Sequence, residues 1–174
     1  MKILGIDPGF GRVGFGVIEG NKDIWEAVAY GCIETQSQAS FVDRLETIHQ
    51  ELKKIIDTYT PDRAAVEELF FYTNVKTAIQ VSQARGAILL TLRQANIPID
   101  EFTPLEVKQA LTSYGRAEKS QVQTMVQLLL HLGKEKMQDD AADALAVALT
   151  GGVCGDKWLC LLTGIFVYVM VGIA

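Results

Sequence analysis

Four acidic residues stand where predicted strands or a helix would present them to one site. Asp7 ends the first buried strand and is followed by Pro8-Gly9, a common turn pair because proline fixes φ and glycine accepts unusual conformations. Glu67 ends a fourth, mostly apolar strand. Asp140 and Asp143 are three residues apart and so share one face of the last predicted helix. Two adjacent strand ends and a helix start can bring all four carboxylates together.

Such a cluster of carboxylates predicts metal chemistry. Four negative charges repel one another unless hard cations lie between them, and oxygen-only ligands favour Mg²⁺ or Mn²⁺. Two such ions roughly 3.5–4 Å apart activate a water molecule and stabilise the leaving oxygen of a phosphodiester. The acids therefore indicate a phosphodiester hydrolase with, we expect, two ions per site.

Each acid also has an ordinary structural interpretation. Glu68 could take the place of Glu67, since alternation along the strand decides which side chain faces the site. Asp139 and Asp140 could simply be acids that the helix macrodipole stabilises in a first turn. Asp143 is harder to explain in this way because it lies among alanines on the face expected to pack. The constellation of acids, rather than any one of them, favours function.

The hydrophobic pattern predicts the elements that hold these acids. Three strands open the chain as an antiparallel meander, a fourth covers 64–67, and a fifth reaches residue 102. Five helices are expected, beginning near residues 41, 74, 104, 119 and 139. The second of them is apolar on most sides, so we expect it to be well buried. The pattern is that of an α/β domain.

Composition sets limits on the class of protein. The 174 residues are most simply one domain, with enough chain for a sizeable core. The net charge of −5 argues against attraction of nucleic acid to the whole surface, although a local basic face is compatible with it. The three cysteines show neither metal-ligand spacing nor a disulfide framework, and the N-terminus lacks a signal peptide. We therefore expect a cytoplasmic protein.

Five motifs, in order over roughly residues 1–150, resemble the RuvC-type Holliday junction resolvases. They are residues 3–9 (ILGIDPG), 66–70 (VEELF), 83–86 (QARG), 117–122 (AEKSQV) and 140–146 (DAADALA). The resemblance implies an RNase H-like fold, a five-stranded mixed sheet with helices on both faces. It also implies a homodimeric, Mg²⁺-dependent endonuclease that cuts two opposed strands of a four-way DNA junction symmetrically, in recombination and repair. Association with a branch-migration helicase complex, and no small-molecule cofactor, follow from the same resemblance.

The resemblance also assigns roles to the acids. Asp7, Glu67, Asp140 and Asp143 are then the metal ligands and the catalytic residues. Asp139 is an additional acid beside the family's pattern, and it competes for the role of Asp140.

Further residues are implied in DNA binding. Lys108 and Lys119 match lysines that the family places against junction phosphates, and a phosphate entering an acidic site needs cationic guides. Phe70 matches an aromatic residue that stacks on a base near the crossover, an interaction worth about 1–3 kcal/mol. We expect one of its aromatic neighbours, Phe71 or Tyr72, to pack in the core instead. Lys134 and Lys136 are better explained as part of a solvated face.

Three other functions share part of this pattern. An actin-like or sugar-kinase-like ATPase also begins with a strand and a Gly-Ile-Asp turn, but it would need further glycine-rich phosphate loops, and none is evident. A junction-binding protein without catalysis is disfavoured by the intact set of four acids. A related RNase H-like nuclease that acts on RNA or on simple DNA ends stays open, and a cleavage assay separates it.

The end of the chain differs from what precedes it. Gly151-Gly152 is predicted to end the last helix, so the domain is expected to span 1–152, with an atypical tail over 153–174. Residues 158–174 are uncharged and strongly apolar, at the lower limit of length for a membrane span. A membrane anchor, a segment packed on the domain and a shifted reading frame are the alternatives. We favour a non-native or dispensable end and expect no membrane association.

Overall fold

The computed structural model describes residues 1–21, 24–69, 75–133 and 137–154, which contain one mixed five-stranded sheet. The strands are β1 (Lys2–Asp7), β2 (Arg12–Gly20), β3 (Trp25–Glu34), β4 (Arg63–Glu67) and β5 (Ile99–Phe102). Their order in the sheet is β3-β2-β1-β4-β5, with β1 antiparallel to β2, β2 antiparallel to β3, and β1, β4 and β5 parallel. The predicted meander followed by parallel strands is confirmed.

Helices cover both faces of this sheet. Within the described residues they are α1 (Phe41–Tyr59), α2 (Val75–Gln94), α3 (Pro104–Thr112), α4 (Lys119–Leu129) and α5 (Asp139–Cys154). One apolar cluster packs α1 and α2 against one face of the sheet, and a second packs α3, α4 and α5 against the other. The predicted RNase H-like arrangement of helices on both faces is thus confirmed.

Glycines allow α5 to approach the sheet closely. A Cβ atom at Gly5 would collide with the carbonyl oxygen of Ala144, and one at Gly14 would collide with that of Asp140. Gly16 meets the side chain of Leu145 one turn further along. Because these glycines offer no side chain, the backbone of α5 lies directly on β1 and β2.

The prediction that Gly151-Gly152 ends the last helix is wrong. Helix α5 continues through both glycines to Cys154, the last described residue. A Cβ at Gly151 would lie 2.9 Å from the Cβ of Ala65, and one at Gly152 would lie 2.7 Å from the Trp25 ring. These glycines serve close packing and not a turn.

The predicted apolar tail, 158–174, lies outside the described residues. Within the described ranges, no helix combines the length and the apolar composition that crossing a membrane requires.

Helix α2 is less buried than its composition predicted. Ala84, Ile88 and Leu92 lie in the core, but Ile79 and Leu90 are 55% and 59% exposed. They share one stripe with exposed positions 82, 83 and 86, which carry no charge. The described part of the chain therefore leaves an uncharged, partly apolar face on this helix.

Candidate active site

Parallel pairing of β1 and β4 brings the first two acids together. Ile6 is paired with Val66, so Asp7 and Glu67 leave their strands at the same edge of the sheet. Their carboxyl groups form a hydrogen bond with each other. One of the two must carry the shared proton, because two carboxylates offer only acceptors.

This pair is costly to ionise. Burial, followed by the negative charges of Asp143 and Asp140, raises the pKa of Asp7 to about 6. Burial, followed by the charge of Asp7, raises the pKa of Glu67 to about 8. Without a cation, the pair therefore holds at least one proton near neutral pH.

Helix α5 adds the other two acids through the glycine contacts. Asp7 is paired with Gly14 across β1 and β2, and the backbone of Asp140 rests on that same glycine. Asp143 follows almost one turn later. Burial, with the charges of Asp139 and Asp140, raises the pKa of Asp143 despite a hydrogen bond from Lys119. The four predicted acids are thus brought together at one end of the sheet.

Two cations hold the acids of α5. The Lys119 Nζ donates to Asp143 Oδ2 at 2.7 Å, and the Arg12 Nε lies 2.9 Å from Asp140 Oδ2. Burial alone would lower the pKa of Lys119, but the hydrogen bond and charge of Asp143 outweigh it and raise that pKa. Lys119 is also the first residue of α4, where the helix macrodipole disfavours a cation. The attraction of Lys119 to the acids, and not a preference of the helix for a cation there, therefore accounts for its position.

The geometry distinguishes between neighbouring acids whose roles the sequence alone did not decide. The side chain of Asp140 is 27% exposed, and its charge helps to raise the pKa of Asp7. The side chain of Asp139 is 68% exposed. Asp139 turns toward α4, where it accepts from the Gln123 Nε2 at 3.3 Å and lies 3.7 Å from Lys119 Nζ. Glu67, and not Glu68, hydrogen-bonds Asp7. These contacts favour Asp140 and Glu67 as members of the site.

A hard divalent cation fits the chemistry of these donors. The set offers only carboxylate oxygens, and the raised pKa values show that negative charge is poorly balanced there. As the side chains stand, no group of three or more His, Cys, Asp or Glu among the described residues is arranged to hold an ion. Asp140 and Asp143 meet Arg12 and Lys119 instead, so both must exchange partners to bind metal.

The remaining predicted residues are less closely tied to the acids. Lys108 lies on α3, which packs against α5, and forms no ion pair with the described residues. Phe70, Lys134 and Lys136 lie outside the described residues.

Two arginines beside the site were missed from the sequence. The Arg85 Nε donates to the carbonyl oxygen of Glu67 at 3.3 Å, and its guanidinium pairs with Glu101. Its place in the 83–86 motif was a signal that could have identified it. Arg12, the first residue of β2, had no signal except its position five residues after Asp7.

The turn between β1 and β2 is held by Arg44 of α1 and by Thr35, which follows β3. The Arg44 guanidinium lies over the Phe10 ring, 3.8 Å from its centroid, and donates to the Phe10 carbonyl at 3.3 Å. The Thr35 Oγ1 donates to the same carbonyl at 2.8 Å, and the Thr35 amide donates to Gly11. The backbone between Asp7 and Arg12 is therefore fixed from outside the sheet.

Known proteins share this sequence and fold. A family model described as crossover junction endodeoxyribonuclease RuvC matches residues 3–151. Relatives of that name from Petrotoga mobilis and Halothermothrix orenii are each 53% identical over 152 residues, 87% of this chain and 93% and 92% of theirs. The structure of Thermus thermophilus RuvC in complex with a Holliday junction substrate has a TM-score of 0.85 at 33% identity, covering 91% of this chain and 96% of that one.

Fold and carboxylates together define a nuclease of the RNase H-like class. More narrowly, the chain belongs to the crossover junction endodeoxyribonuclease RuvC family, which comprises metal-dependent nucleases. The predictions of family, fold and endonuclease activity are confirmed. The roles of individual residues stay predictions.

Proposed function

We propose that this chain resolves four-way (Holliday) junction DNA by paired symmetric nicks, in homologous recombination and DNA repair. Membership of the family supports the proposal, as does the Thermus thermophilus relative, whose structure contains a Holliday junction substrate. The observation that carries it is the meeting of four carboxylates where β1, β4 and α5 converge. The activity belongs, on this proposal, in the cytoplasm, where bacterial DNA lies.

In this proposal, Asp7, Glu67, Asp140 and Asp143 hold Mg²⁺, two ions per site, with Mn²⁺ as a substitute. When bound, the metal activates water and stabilises the leaving oxygen of the cut phosphodiester. The chain itself orients the carboxylates, since β1, β4 and α5 are fixed against one another by backbone contacts.

Positive side chains bring the DNA backbone to these acids. Lys119 lies against Asp143 with half of its side chain exposed, and would pass from that carboxylate to a phosphate. Lys108 would bind the backbone from α3, and Phe70 would stack on a base near the crossover. These three roles follow the family's pattern.

The proposal includes a homodimer, because a symmetric pair of nicks requires two active sites on one junction. The uncharged stripe of α2, with Ile79 and Leu90 exposed, supports it as the surface where two copies meet. Gly86 on this stripe has open space around its Cβ position, so a second helix could approach closely. A branch-migration helicase is a further partner by resemblance only.

Cleavage of matched substrates tests the proposal. Four-way junction, duplex and RNA–DNA hybrid are incubated with Mg²⁺ or with a chelator, and the nicks are mapped. We expect paired nicks in the junction alone, and only with Mg²⁺. Equal cutting of duplex or hybrid would indicate a related RNase H-like nuclease, and junction binding without cutting would indicate a binding protein.

A further inference from the structure

The ion pair between Arg12 and Asp140 differs from the ion pair of Arg63, the residue that begins β4 at the end opposite Glu67. The side chains of Arg63 and Asp100 are 24% and 16% exposed and form two hydrogen bonds of 3.0 Å, as expected of a structural contact. Arg12 is 58% exposed and reaches Asp140 through Nε at 2.9 Å. An exposed pair of this kind contributes little to stability. Stability therefore does not explain why an arginine stands there.

The backbone that carries Arg12 is unusually well fixed. Thr35 and Arg44 bind the carbonyls of Phe10 and Gly11, directly before it. Gly14, two residues later, is pressed against the backbone of Asp140. The guanidinium is thus held at the rim of the carboxylate cluster, and only its side chain needs to move. A fixed point of attachment reduces the entropy that a binding contact costs.

The charge distribution calls for a cation at this position. A phosphate that approaches four acids is repelled unless positive groups meet it. Lys119 lies on the α4 side of the cluster, against Asp143 and Asp139. Arg12 lies on the β2 side, against Asp140. A guanidinium has five N–H donors in a planar fork that matches the oxygens of a phosphate.

We propose that Arg12 binds a DNA backbone phosphate at the rim of the active site, and that its ion pair with Asp140 withholds it until Asp140 turns to metal. The inference rests on the proposed function, because it takes four-way DNA as the ligand. Arg12 is thereby a DNA-binding residue whose availability depends on the state of one carboxylate. Loading of the acids and capture of the backbone are linked through this exchange.

A double-mutant cycle measured in chelator tests the exchange without any cleavage. Asp140→Asn removes the acceptor charge and frees Arg12 in the absence of metal. In that background we expect Arg12→Gln to weaken junction binding by about fivefold to tenfold, and to lower the salt dependence of affinity by about one released counterion. In the background with Asp140 intact, we expect Arg12→Gln to change affinity by less than about twofold.

Three controls separate the explanations. Lys54→Gln removes one positive charge from an exposed ion pair with Glu51 on α1, and should leave both backgrounds unchanged. Arg12→Lys should restore the salt dependence but only part of the affinity. Thermal melting establishes that each variant is folded.

The outcomes distinguish this inference from the proposed function. An equal effect of Arg12→Gln in both backgrounds, or no effect in either, overturns the inference that the ion pair with Asp140 keeps Arg12 from the DNA. Failure of the unaltered protein to prefer junction over duplex overturns the proposed function instead.

Discussion

At the scale of residues, the Asp7–Glu67 pair makes the stability of the metal-free protein depend on pH. Folding raises the pKa of Asp7 from 3.8 to about 6 and that of Glu67 from 4.5 to about 8. The folded state therefore binds more protons than the unfolded state between about pH 4 and pH 8. By linkage, its free energy of unfolding falls as pH rises through that range.

Urea unfolding in chelator, at several values from about pH 5 to pH 9, measures this effect. We expect the midpoint to fall as the pH rises, and Glu67→Gln to remove most of the fall. The same variant should be more stable than the unaltered protein at about pH 8, since it removes a charge that is costly to bury. A midpoint that rises over this range would contradict the assignment of a shared proton.

Neighbouring acids on α5 provide a matched pair of variants. Asp140→Asn should abolish Mg²⁺-dependent cleavage by removing a carboxylate that lies against the cluster. Asp139→Asn removes the same charge one residue earlier, but from a side chain that faces α4, so it should lower the cleavage rate by no more than about threefold. Cleavage rates at saturating junction measure both. An inactive Asp139→Asn beside an active Asp140→Asn would exchange their roles.

At the scale of elements, the seating of α5 depends on glycine. Gly14→Ala would place a Cβ against the carbonyl oxygen of Asp140, and backbone atoms on both sides cannot move aside as a flexible side chain could. We expect a loss of about 3 kcal/mol or more in the free energy of unfolding, together with loss of cleavage.

Gly133→Ala is the control for this substitution. Its Cβ would meet nothing within 4 Å, so the free energy of unfolding should change by less than about 1 kcal/mol. Equal losses for the two variants, measured by urea unfolding, would show that the contact at Gly14 is not what fixes α5.

The position of the acids was predictable because it follows from periodicity and strand direction. Asp7 and Glu67 end buried strands, and Asp140 and Asp143 are three apart on a helix, so few arrangements are open to them. The roles of glycines were not predictable in the same way. Gly151 and Gly152 resemble the end of a helix. Their role in close packing depends instead on the residues that face them, Ala65 and Trp25, and the sequence does not specify those neighbours.

The cations that pair with the acids could not be predicted from the sequence either. The contact of Arg12 with Asp140 joins residues 128 apart in the chain, through the seating of α5 on β2. Exposure of Ile79 and Leu90 was missed because composition does not show whether a helix face meets the core or a second chain.

At the scale of the whole molecule, the uncharged stripe of α2 predicts an interface between two copies. Leu90→Glu places a charge in that interface and should convert a dimer into a monomer, as measured by sedimentation. Val42→Glu, at an exposed position on a different helix, α1, is the control and should leave the dimer intact. A dimer that survives Leu90→Glu would move the interface elsewhere.

Removal of residues 155–174 should leave the fold and cleavage intact. The family match ends at 151, and the described part of α5, to Cys154, already packs in the core with the sheet. Truncation after Cys154 keeps Gly152, which packs against Trp25, inside the helix. A cut at the predicted boundary of 152 would instead make this residue the end of the helix. Melting temperature and junction cleavage of the truncated chain measure the outcome. A truncated chain that does not fold would make the tail part of the core.

The contact between α5 and the sheet has a consequence for how this enzyme can vary. At Gly5 and Gly14 the separation is set by main-chain atoms, which are the same whatever the surrounding side chains are. Substitutions among the apolar residues on either face can therefore adjust the working temperature of the protein while the spacing of the acids stays constant. Thermal stability and the geometry of the active site can therefore change separately in this fold. Side-chain packing governs the first, and main-chain contacts govern the second.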